Sequence, residues 1–72
     1  MKYYVFKTNI GTRQKVEEIH SIFETNPVIN DWNVDTNDVD NILRIRQSIQ
    51  LKENDVINLV KSHGFLCEIL PD

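Results

Sequence analysis

Apolar positions along this chain switch repeatedly between a two-residue and a helical period. Tyr3 to Thr8 is rich in aromatic and β-branched residues, which predicts a first strand. Gly11-Thr12 then offers a turn and an N-cap hydroxyl ahead of Arg13. Val16, Ile19, Ile22 and Phe23 recur at helical spacing, while Lys15, Glu17, Glu18 and Glu24 keep to the polar side. Thr25-Asn26-Pro27 ends that helix, because the residue before a proline disfavours helical geometry. Ile29 to Thr36 alternates as a second strand, with Trp32 and Val34 on one face and Asp31, Asn33 and Asp35 on the other.

The polar stretch from Asn37 to Asn41 predicts a turn, and Ile42 to Gln47 a third strand. A second helix is expected from about Glu53 to His63, with Val56, Leu59 or Val60, and His63 on its apolar side. Gly64 stands where a helix C-terminus needs a residue tolerant of positive φ. Phe65 to Leu70 is the last predicted strand, stopped by Pro71. This order of elements points to an α+β, ferredoxin-like βαββαβ sandwich: a four-stranded antiparallel sheet, order 4-1-3-2, with two helices on one face. Such a topology hosts many unrelated functions.

Composition narrows the choice. Seventy-two residues without a Pro/Gly/Ser-rich linker, a repeat or a low-complexity run make a single domain over 1–72. Folding at that size removes only about 60% of the unfolded chain's surface from water. The formal charge of −3 speaks against a general nucleic-acid binder, which needs clustered Lys and Arg. Cys67 is the single cysteine, so no internal disulfide forms, as suits a reducing compartment. The apolar run before Lys7 is too short for a signal peptide, and nothing approaches the ~20 apolar residues of a membrane helix. These features lead to the expectation of a soluble, cytoplasmic protein with no nucleic-acid partner and no membrane insertion.

Several stretches resemble the heavy-metal-associated domains, the copper-chaperone-like family. They are Phe6-Lys7-Thr8-Asn9-Ile10, Lys15-Val16, Trp32-Asn33-Val34-Asp35-Thr36, Ile42-Leu43, and Val60-Lys61-Ser62-His63-Gly64-Phe65. The Trp32–Thr36 strand and the Val60–Phe65 close are the most specific of these, and they are similar to the short free-standing members. The resemblance implies a small metal carrier holding a soft metal between two thiolates at Met-x-Cys-x-x-Cys. Here that loop has no cysteine. Aligned without a gap, Asn9 and Thr12 take the two thiolate positions. Aligned on Phe6–Ile10, Ile10 becomes the buried apolar plug, the loop is shortened and Thr12 replaces the second cysteine; this second alignment is preferred. Monovalent copper and zinc select thiolate or imidazole, so an amide and a hydroxyl do not replace the lost ligands.

The remaining candidates are weak as sites. Cys67, with Phe65 and Ile69 on its face, reads as a small core residue before it reads as a ligand. His63 closes the second helix, and His20 flanks the apolar stripe of the first. The acidic run Asp31, Asp35, Asp38 and Asp40 lacks the glycine and terminal glutamate of a calcium loop. Arg13 and Asn9 could be cast in acylphosphatase-like roles, yet the phosphate-cradling glycine loop of that family is missing. On the sheet face away from the helices, with Tyr4, Phe6, Leu43, Ile45, Phe65, Cys67 and Ile69 in the core, alternation turns Tyr3, Val5, Ile42, Arg44, Arg46, Leu66 and Glu68 outward. Strand order 4-1-3-2 would make Leu66, Tyr3 or Val5, and Ile42 neighbours in an apolar patch edged by arginines, suited to pairing with a protein partner or a second copy.

The expectation is therefore a non-catalytic heavy-metal-associated-like domain without metal, cofactor or thiolate site, serving protein interaction or as an accessory to metal handling. The competing reading is a copper or zinc carrier binding through Cys67 or the histidines, across a dimer if need be. A small acylphosphatase-like enzyme comes third.

Overall fold

A computed structural model describes residues 2–70. Six elements follow one another: β1 (Tyr3–Thr8), α1 (Arg13–Glu24), β2 (Trp32–Asp35), β3 (Ile42–Arg46), α2 (Glu53–Ser62) and β4 (Cys67–Ile69). The strands form one antiparallel sheet in the order β2-β3-β1-β4, so with its two helices the chain is an α+β domain. The expected stop at Pro71 lies outside the described residues.

Two-residue alternation sorts the strands as their sequence implies. Phe6 pairs with Leu43, Tyr4 with Ile45, and Thr8 with Cys67, and Phe6, Leu43, Ile45 and Cys67 are all buried. Trp32 and Val34 continue this face on β2, opposite Ile45 and Leu43. Ile19 and Phe23 of α1 and Val56 and Val60 of α2 belong to the same buried cluster. Trp32 meets Phe23 edge-on, with ring centroids 5.0 Å apart.

The start of α1 and the end of α2 fall where their end residues direct. The Thr12 hydroxyl accepts from Lys15 N at 3.2 Å and caps α1. At the end of α2, Gly64 takes φ +88, and its N–H donates to Lys61 O while Phe65 N–H donates to Val60 O. This is the Schellman arrangement, and Phe65 and Val60 are both buried behind it.

Four details differ from the sequence reading. β2 begins at Trp32, not Ile29, because Pro27–Asn30 turns back on the helix end, with Asn26 N–H donating to Phe23 O and Ile29 N–H to Asn26 O. β4 spans only three residues, against the expected Phe65–Leu70. Ile69 pairs with Phe6, but on this short edge strand it remains 48% exposed instead of joining the core. His63 is exposed at the end of α2, not on its apolar side; its Nδ1 lies 3.0 Å from Leu59 O.

A further core residue was not anticipated. Leu51 is buried in the loop ahead of α2, where an isolated bridge joins it to Ser48 and its carbonyl accepts from the Tyr4 hydroxyl at 2.9 Å.

Candidate functional site

The loop between β1 and α1 holds Asn9 and Thr12, the two positions that the family resemblance singles out. The side chains of Thr8, Asn9 and Thr12 each have an internal partner. Thr8 Oγ1, on a buried residue, donates to Asn41 O at 2.7 Å and accepts from Ile10 N–H at 3.1 Å. Asn9 Oδ1 accepts from Leu66 N–H at 3.0 Å, which ties the loop to the chain just before β4. The Asn9 carbonyl accepts from Gly11 N–H at 3.0 Å and from Lys15 Nζ at 3.3 Å. Thr12, as above, is the cap of α1.

Two further features fix this loop. Ile10 is fully buried, the apolar plug expected of it. Gly11 lies against the Asn41 side chain: a Cβ built there would come within 3.0 Å of Asn41 Oδ1. Asn41 itself adopts φ +46, a left-handed conformation that asparagine tolerates better than most residues. Thr8 N–H donates to Asp40 O at 3.1 Å, so the β2–β3 turn packs along the same loop.

The other candidate residues are scattered. Cys67 is free and 1% exposed, and burial pushes its thiol up to about 11, with Lys61 opposing the shift and Glu68 adding to it. A thiol held this way is a poor source of thiolate. His20 is exposed on α1, its Nε2 3.5 Å from Glu24 Oε1 and its ring 6.1 Å from that of Trp32. Arg13 pairs with Glu17 at 3.5 Å while Asn9 holds Leu66, so the two have separate partners. Among the described residues, no group of three or more His, Cys, Asp and Glu side chains is placed to hold a metal ion.

The acidic run is likewise committed to local bonds. Asp35 Oδ1 accepts from Asn37 N–H at 3.1 Å and Asp38 Oδ1 from Asp40 N–H at 2.9 Å, both within turns. Asp40 Oδ1 lies 3.6 Å from Lys7 Nζ. Asp31 Oδ2 accepts from the Tyr3 hydroxyl at 2.7 Å.

On the outer face, the structure brings together Tyr3, Val5, Arg44 and Arg46 from the seven residues singled out there. Tyr3 stands opposite Arg46, and Val5 opposite Arg44. Glu68 stands opposite Lys7 on β1, and Ile42 and Leu66 fall away. Ile42, opposite Asp35, is only 4% exposed and so offers no accessible surface. Leu66 is 64% exposed, but the Thr8–Cys67 register sets it beside Asn9, at the far end of β1 from Tyr3. The expected continuous apolar patch is thus replaced by a mixed surface, in which Tyr3 and Val5 lie beside Arg44 and Arg46 and Asp31 accepts the Tyr3 hydroxyl across β3. That hydrogen bond to Asp31 raises the Tyr3 phenol above its ordinary range, with Arg46 opposing. No helix among the described residues is long and apolar enough to cross a membrane. Comparison of the chain with protein-family models, with curated proteins and with solved structures finds no match.

Proposed function

We propose that this chain is a ferredoxin-like domain of the heavy-metal-associated type that has given up its thiolate site and serves as a non-catalytic interaction or accessory module in metal handling. The strand order β2-β3-β1-β4 and the single cluster joining both helices to one sheet face support the fold part of this reading. The observation that carries the functional part is the use made of Asn9 and Thr12. Both side chains bond to the backbone, one at Leu66 and one at Lys15. The loop has thereby become a structural joint, and soft-metal chemistry has no donor there.

The surface left for function is the outer face around Tyr3, Val5, Arg44 and Arg46. An aromatic and two arginines beside an aliphatic residue are the types that binding hot spots favour. The partner on this reading is a protein, with a second copy of the chain as the simplest case. Sedimentation of the wild type beside Tyr3→Ser/Arg46→Ala examines that case: association lost in the double variant supports it, and a monomer in both sinks it. The competing carrier reading relies on Cys67, His20 or His63. Against it stand the burial of the thiol and the positions of the two histidines on separate exposed helix surfaces.

A further inference from the structure

We draw no further inference here: the strongest candidate, the groove lined by Ile22 and Phe65 together with Glu18, Ser21 and His63, is an apolar surface for which nothing in the structure shows what covers it.

Discussion

Asn9 Oδ1 accepts a hydrogen bond from Leu66 N–H at 3.0 Å, joining residues 57 positions apart in the chain. A side chain at one end of β1 thereby fixes the start of β4, a strand of only three residues with few ladder bonds of its own. The Asn9 side chain thus holds an edge strand in register.

Asn9→Ala should therefore destabilise the domain by about 1 kcal/mol, the net value of one such bond. Asn9→Asp keeps the acceptor and should cost less, helped by the Lys15 ammonium already bonded to the residue 9 carbonyl. Denaturant unfolding measures both. Hydrogen exchange at Leu66 gives the local readout: it should quicken in Asn9→Ala and stay slow in Asn9→Asp.

Thr12→Ala removes the cap of α1 and should cost about 1 kcal/mol, within the usual span for such caps. Thr12→Ser retains the hydroxyl and should be near neutral. If Thr12→Ala matched the wild type in thermal unfolding, Thr12 would not be the structural residue proposed here.

Tyr3 and Asp31 should be coupled in a double-mutant cycle. Tyr3→Phe and Asp31→Asn each weaken one bond at 2.7 Å, so the two losses should add to more than the double variant shows. The expected coupling is small but above zero, because the pair is solvent-facing. A coupling within error of zero would contradict the geometry of the outer face.

Cys67 gives the chain a pH signature. Its folded value of about 11 lies above the ordinary 9.0, so the folded state keeps a proton that the unfolded chain releases. This contribution is fully present below pH 9.0 and is lost as pH rises towards about 11. The slope contributed by this one group should approach ~1.4 kcal/mol per pH unit. Cys67→Val should remove it, as urea unfolding at a series of alkaline pH values would reveal. In the native protein at neutral pH, the thiol should react with a thiol reagent only at the rate of opening.

The helices and the alternation of the strands were legible because their apolar positions sit at regular spacing: Ile19 and Phe23 on α1, Phe6, Leu43 and Ile45 on the sheet. Gly64 was legible because few other residues accept φ +88 at a helix end. Strand limits were not, since Ile29 is apolar whether it lies in a strand or in a turn that tucks it into the core. Leu51 gave no distinct signal, since Ile49 in the same loop is as apolar yet fully exposed, and Leu51 is set apart only by its bond to Tyr4. At the candidate loop, the sequence shows that no cysteine is present, and the family resemblance gave the expectation that Ile10 is buried. That Asn9 bonds to Leu66 depends on the register of β4, which a strand of three residues does not betray in its pattern. The same register removed Leu66 from the outer patch.

The central claim is that the loop from Thr8 to Thr12 is a joint and no longer a metal site. Titration of the reduced protein with monovalent copper, read by native mass spectrometry, tests it most directly. The account predicts no stoichiometric metal, with Cys67→Ser indistinguishable from the wild type. A tight complex of one copper per chain, or one per dimer, would contradict it and favour the carrier.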